Sequence, residues 1–253
     1  MAKRKSGGLL ESLKTIVYAA LIAVVIRTVA FEPFNIPSGS MIPTLLIGDY
    51  LFVSKYSYGY SRFSLPFAPD LFQGRIFKEM PKRGDVVVFK NPHQESTDYI
   101  KRIIGLPGDR IQVKGGQLLV NGVEVARKLV GDYTSMTSDD TPDMQRPVPI
   151  EAIEYSETLP GGKTHPILKE TDQGWPNNTP EYVVPPNSLF AMGDNRDNSQ
   201  DSRFQDAVGF IPMDNLVGRA EFIFFSIDAT APWWEFWEWP FEIRWSRLFT
   251  GIN

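Results

Sequence analysis

Two kinds of hydrophobic pattern follow one another along the chain. Near the N-terminus, Ile16 to Ile26 carries no charged residue, and apolar character resumes after Arg27 as far as Phe31. A helix that crosses a bilayer needs about 20 mostly apolar residues. Leu13 to Phe34 reaches that length when Lys14 and Arg27 stretch their charged ends toward the two interfaces. The same run also suits a buried core helix, an amphipathic surface helix or a secretory signal. As an uncleaved anchor, it would have Lys3, Arg4, Lys5 and Lys14 holding the N-terminus in the cytoplasm. Beyond Pro33 the pattern becomes that of strands: Asp49–Tyr56, Gly84–Lys90, Asp98–Ile104, Arg110–Val113, Gln117–Val120 and Ala220–Ile227. Gly115-Gly116 and Asn121-Gly122 are tight-turn dipeptides. Residues 57–80 and about 127–182 hold clusters of Pro, Gly, Asp and Thr, and are expected as loop-rich insertions on a β core.

Composition narrows the chemistry. The 253 residues contain no Cys, which excludes disulfides, thiolate nucleophiles and Cys-ligated zinc. The only two histidines are His93, in the turn-like Asn91-Pro92-His93, and His165, before Pro166; both are expected in surface loops. Nucleophilic chemistry would then need a base other than His. The net charge of −4, without a basic stripe, gives no reason to expect nucleic acid as a partner. Five of the six tryptophans fall between Trp233 and Trp245, beside Phe236 and Phe241. Such a cluster fits either the headgroup layer of a membrane or an aromatic β core.

Three segments carry candidate chemistry. In Ile36-Pro-Ser-Gly-Ser-Met-Ile-Pro43, two prolines restrict the backbone around Ser38 and Ser40, and Gly39 permits close approach. On the strand around Lys101, alternation puts Lys101 with Tyr99 and Ile103, and Arg102 with Ile100 and Ile104. One of these adjacent cations therefore lies toward the core, or both faces are partly covered. Burial lowers a lysine pKa from about 10.4, and a neutral amine beside a serine hydroxyl is a competent general base. An ordinary edge-strand lysine would give the same spacing. The third segment, Gly193 to Arg203, is an unbroken run of polar residues and glycine. As a calcium loop begun at Asp197 it would need glycine at Ser202 and glutamate at Val208, so that reading fails.

These segments together resemble the bacterial type I signal peptidases, which use a serine–lysine dyad. The resemblance rests on Glu32–Leu45, Gly48–Leu51, Arg83–Phe89, Asp98–Asp109 and Gly193–Arg203, in order and at compatible spacing. It implies Ser40 as nucleophile and Lys101 as general base, with the Ser38 hydroxyl joining the Ser40 N–H in the oxyanion hole. Ser199 would orient the Lys101 amine. Asp201 and Arg203 would shape the Gly193–Arg203 loop, supported by Asp194 and Arg102. Small substrate side chains at the first and third positions before the cut would enter pockets lined by Phe34, Ile36, Pro37, Tyr99 and Ile100. No metal or organic cofactor is required.

The resemblance further implies a mainly β fold: an antiparallel β catalytic core with an inserted second β-rich domain, preceded by one N-terminal transmembrane helix. The expected divisions are 1–33 for the anchor, 34–111 and 187–253 for the core, and 112–186 for the insert. The partners would be preproteins bearing signal peptides and the lipid bilayer, with a monomer favoured. The location would be the bacterial inner membrane, single-pass, with the catalytic body on the extracytoplasmic side. The residues themselves leave open a Ser-Lys protease of narrower target and a silent, membrane-anchored β module.

Overall fold

A computed structural model describes residues 8–65, 68–138, 147–228 and 239–252. Its first element, α1 (Gly8–Val29), has Glu11 in its first turn and Arg27 in its last, which suits the helix dipole at both ends. The stretch Glu11–Val29 has a mean hydropathy of 1.7 and none of it is buried, so it is long and apolar enough to cross a membrane. The helix stops earlier than the expected Phe34. Pro33 has no N–H to donate and holds Glu32 in the extended region, and the chain is already a strand, β1 (Phe31–Asn35).

Strands β2 (Asp49–Ser54), β3 (Val86–Asn91) and β4 (Gln94–Gly105) match the β-rich runs read from sequence. They are followed by β5 (Arg110–Lys114), β6 (Gln117–Val120) and β7 (Val123–Glu124). The supposedly loop-rich 127–182 stretch is instead largely sheet. It contains β8 (Ala126–Ser138), β9 (Pro147–Thr158), β10 (Thr164–Lys169) and β11 (Tyr182–Val183). These strands are rich in polar residues because β8 and β9 form a long ribbon with much of its surface open to solvent, so no clean alternation marks them. Then come β12 (Ser188–Met192), β13 (Ile211–Pro212) and β14 (Leu216–Ser226), with a short helix α2 (Trp239–Glu242) near the C-terminus.

The strands form three antiparallel sheets. The largest has the order β1-β2-β14-β3-β4-β12-β13, the second β10-β9-β8 and the third β11-β5-β6-β7. The chain leaves the large sheet after β4 and rejoins it at β12, and the expected edge at 111/112 falls inside β5. Both faces of the large sheet are covered where β3 crosses it. Val86 and Val88 pack with Met41, Leu45, Leu51 and Ile223 on one side, while Val87 and Phe89 pack with Ile103, Leu189 and Ile211 on the other. That double burial explains the unalternating Val86-Val-Val-Phe89 run. Gly105 lies where the large sheet meets the third one: an added Cβ would sit 2.9 Å from Ile111 Cγ1 and 3.0 Å from Phe190 Cβ.

Candidate active site

Ser40 sits on a single 3-10 turn, Gly39–Met41, that follows β1. Met41, wholly buried, anchors the turn in the core, while Ser40 is only 8% exposed. Two bonds from the Gly193–Arg203 loop hold the turn from behind. The Asn195 N–H donates to the Ser40 carbonyl at 3.1 Å, and Asn195 Nδ2 donates to the Gly39 carbonyl at 3.2 Å.

Lys101 reaches Ser40 from β4, where it stands opposite Val87 of β3. Its Nζ donates to Ser40 Oγ at 2.6 Å, and Ser38 Oγ lies 3.5 Å from the same oxygen. No carboxylate forms an ion pair with Lys101 among the described residues. Burial therefore pushes the ammonium down to about 8, against the pull of Asp201 and Asp194 and with a further push from Arg203. Lys101 Nζ also stands 5.4 Å from the centre of the Tyr99 ring.

Arg102, the next residue, is buried as well, but it is fully paired. Its Nε and Nη2 donate to the two Asp194 oxygens at 2.8 and 2.7 Å, and its Nη1 donates to the Gly84 carbonyl at 2.8 Å. Thr44 Oγ1 adds a bond to Asp194 Oδ2 at 2.5 Å. Burial alone would raise the Asp194 pKa; the Arg102 charge and these bonds hold it below its ordinary value. Asp201 follows the same logic. It is buried, yet Arg203 lies 2.9 Å from Oδ1 and 2.8 Å from Oδ2, the Gly193 N–H donates at 3.0 Å, and its pKa is lowered.

Ser199 is brought beside this cluster but makes no hydrogen bond to Lys101. Its hydroxyl is buried, near enough to Asp201 to help keep that carboxyl low, yet short of a well-formed hydrogen bond. Gly193 provides the room. A Cβ there would overlap both Ser199 Oγ and the Ser40 carbonyl oxygen.

A cleft of about 400 Å³ opens over the Ser40–Lys101 pair. Phe34, Ile36, Pro37, Tyr99 and Ile100 all line it, together with Ser38, Asn198 and Gln200. Its walls are the end of β1 and residues 97–101 of β4, beyond the point where Arg102 pairs with Met192 of β12. That side of β4 therefore offers an unpaired strand edge to an extended peptide.

Residues 9–225 match the family model described as signal peptidase, peptidase S26. The chain belongs to the S26 signal peptidase family. A signal peptidase I of Rickettsia typhi is 38% identical over 261 residues, covering 96% of this chain and 93% of that protein. Another from Rickettsia massiliae is 42% identical over 227 residues, covering 87% of this chain and 80% of its own. The crystal structure of a signal peptidase I from Enterococcus faecalis V583 matches at 21% identity, covering 56% of this chain, with a TM-score of 0.31, too loose a superposition to carry an argument.

Several contacts around this S26 site give no sign of themselves in the sequence. His165, expected in a surface loop, is buried on β10 opposite Glu157, with its Nε2 3.5 Å from Glu157 and 3.8 Å from Asp194. Arg196 makes a two-point buried pair with Glu157, one bond at 2.8 Å, so β9 grips the Gly193–Arg203 loop directly. Asp197 accepts from Glu170 N at 2.7 Å and from Asn177 Nδ2 at 2.6 Å. Tyr99 donates to Gln200 Oε1 at 2.8 Å and ties the loop to the cleft wall. Each contact joins residues far apart in the chain, and only the density of short polar side chains in Gly193–Arg203 pointed toward them.

Proposed function

We propose that this S26 chain is a membrane-anchored serine endopeptidase that removes signal peptides from exported preproteins through a Ser40–Lys101 dyad. The observation that carries the reading is the 2.6 Å contact between Lys101 Nζ and Ser40 Oγ, made by a lysine that burial lowers to about 8. A neutral Lys101 takes the Ser40 proton as Oγ attacks the peptide carbonyl. The oxyanion is received by the Ser40 N–H and the Ser38 hydroxyl, the kind of donor pair whose members each contribute about 10²–10³ in rate. The ammonium then protonates the departing amine, leaving an acyl ester on Ser40. Lys101 next activates the water that hydrolyses this ester. Ser199, whose buried hydroxyl makes no hydrogen bond of its own, is the group assigned to orient the Lys101 amine. Asp194 with Arg102, and Asp201 with Arg203, fix the loop behind both residues.

The substrate lies extended along β4, and its small side chains enter the pockets of Phe34, Ile36, Pro37, Tyr99 and Ile100. The same reading divides the chain into an anchor (1–33), a core (34–111 and 187–253) and an insert (112–186). α1 spans the bilayer with its basic N-terminus in the cytoplasm and the catalytic body outside. An aromatic ladder on the outer face of β1, β2 and β14 supports a body resting on lipid: Phe31, Phe52 and Phe224 are linked by ring contacts of 6.1 and 4.4 Å. Trp245 is also 65% exposed; Trp233, Trp234 and Trp237 lie outside the described residues. The body acts as a monomer, without nucleic acid or cofactor.

The test is a purified-enzyme assay on a preprotein, with the cleavage site read by mass. The wild type cleaves at one site after small residues, and Ser40→Ala and Lys101→Ala abolish cleavage. Activity retained by either variant would contradict the dyad.

A further inference from the structure

Residues 194–196 of the polar loop join the edge of β10. The Leu168 N–H donates to the Asp194 carbonyl at 2.9 Å, and the Arg196 N–H donates to the Leu168 carbonyl at 3.0 Å. The result is a single parallel bridge between Leu168 and Asn195. In such a bridge the residue between the two bonded neighbours turns its own N–H and C=O away from the partner strand. Asn195 accordingly faces the nucleophile turn, and its N–H donates to the Ser40 carbonyl at 3.1 Å. The bridge is well secured. Arg196 makes its two-point pair with Glu157 of β9, and Leu168 packs with Ile42, just past the turn.

The Asn195 side chain acts on a different peptide. Its Nδ2 donates to the Gly39 carbonyl at 3.2 Å. That carbonyl shares a peptide plane with the Ser40 N–H, and in a trans peptide the two point in opposite directions. Whatever holds the Gly39 oxygen therefore aims the Ser40 N–H. Among the described residues nothing accepts that N–H, which leaves it open to an oxyanion. Only one other bond among them holds the Gly39 oxygen, from the Ile42 N–H across the 3-10 turn at 3.2 Å. Gly39, without a Cβ, does little to oppose rotation of the plane. Asn195 Oδ1 is buried and accepts no hydrogen bond, so the Nδ2 contact is the one polar bond this side chain makes.

We propose that Asn195 is a positioning residue for the oxyanion hole, its amide aiming the Ser40 N–H into the cleft by gripping the Gly39 oxygen at the opposite end of the same peptide. The role rests on the function proposed above. Donors to an oxyanion act through being fixed before the charge develops, so an N–H free to swing with its peptide loses most of its effect. Through this contact β10 enters the chemistry without touching substrate, because it carries the bridge on which Asn195 sits. The Asn195 side chain bonds to neither Ser40 Oγ nor Lys101, so the dyad itself does not depend on it.

The test is single-turnover cleavage of a preprotein by saturating full-length enzyme in detergent, comparing wild type with Asn195→Ala and Asn195→Asp. Alanine removes the donor but keeps the backbone bonds to Leu168 and Ser40. Aspartate keeps the shape and sets an oxygen where the donor stood. Each should lower the first-order rate constant by about 10²-fold, as the loss of an oxyanion donor does. Unfolded molecules reduce the amount of active enzyme and leave that constant unmoved at saturation. In Asn195→Ala the pH at which the rate rises should remain that of the wild type, since Lys101 keeps its neighbours. A rate constant within about threefold of wild type in either variant overturns the positioning role. A pH rise displaced by about one unit or more in Asn195→Ala also overturns it, because the loss would then lie in the dyad. Cleavage that survives Ser40→Ala would instead defeat the dyad reading.

Discussion

Lys101 and Arg102 are consecutive on β4 and both are buried, but only Arg102 has a carboxylate. Its bidentate pair with Asp194 leaves Lys101 to meet burial with nothing closer than the Ser40 hydroxyl. Desolvation then favours the neutral amine, the form a general base requires. Cleavage should accordingly rise with pH as Lys101 loses its proton around 8, which a pH profile of kcat/KM for the free enzyme reads directly.

The same burial costs stability. Lys101 binds its proton less tightly in the folded state than in the unfolded chain, where it keeps its ordinary value of 10.5. Between about 8 and 10.5 the unfolded chain holds more protons, so this contribution to stability rises with pH across that window and is least favourable below it. Lys101→Met should therefore abolish cleavage while raising Tm at pH 7. The gain over wild type should shrink by pH 10.

Asp194 is the opposite case. Asp194→Ala leaves Arg102 buried without its partner, a defect of about 3–5 kcal/mol. Urea unfolding should register that loss. Thr44 and His165 also face Asp194, so their variants should not be additive with Asp194→Ala.

How much of this was written in the sequence follows from the range of each interaction. β2, β3, β4, β5, β6 and β14 were legible because β-branched and aromatic runs sit between turn residues. The β8–β9 ribbon was not, since its solvent-exposed polar residues obey no hydrophobic period. Ser40 and Lys101 were recognisable through ordered motifs, but strand alternation alone left Lys101 indistinguishable from an edge lysine. His165 was misread because Pro166 and the neighbouring glycines suggested a loop. In the structure Pro166 lies within β10 and its ring costs little at a strand that forms the sheet's edge.

Gly193 offers a sharper probe of the site than any charged residue. It has an ordinary backbone conformation, so its requirement is one of space alone: a methyl group there meets Ser199 Oγ and the Ser40 carbonyl oxygen together. Gly193→Ala should push the loop and the nucleophile apart, and displacements of about 1 Å can cost on the order of 10²-fold in rate. Single-turnover kinetics should show the loss in the chemical step, with substrate binding in the cleft largely kept.

His165 predicts how the fold responds to acid. Its ring is buried without a hydrogen-bond partner, close to two buried ion pairs, Arg196–Glu157 and Arg102–Asp194. Burial pushes its pKa down to about 4 from 6.5, against the pull of Asp194. Between these values the unfolded chain binds the proton more readily, so stability is full above about 6.5 and declines as the pH falls toward 4. The decline should loosen first the contact between β9–β10 and the Gly193–Arg203 loop, because His165 sits at that seam. His165→Phe has no proton to gain, so its unfolding free energy should change less between pH 7 and pH 4.5 than that of the wild type, whatever its absolute stability. An unchanged pH dependence in urea titrations at the two pH values would remove His165 as the acid-sensitive group.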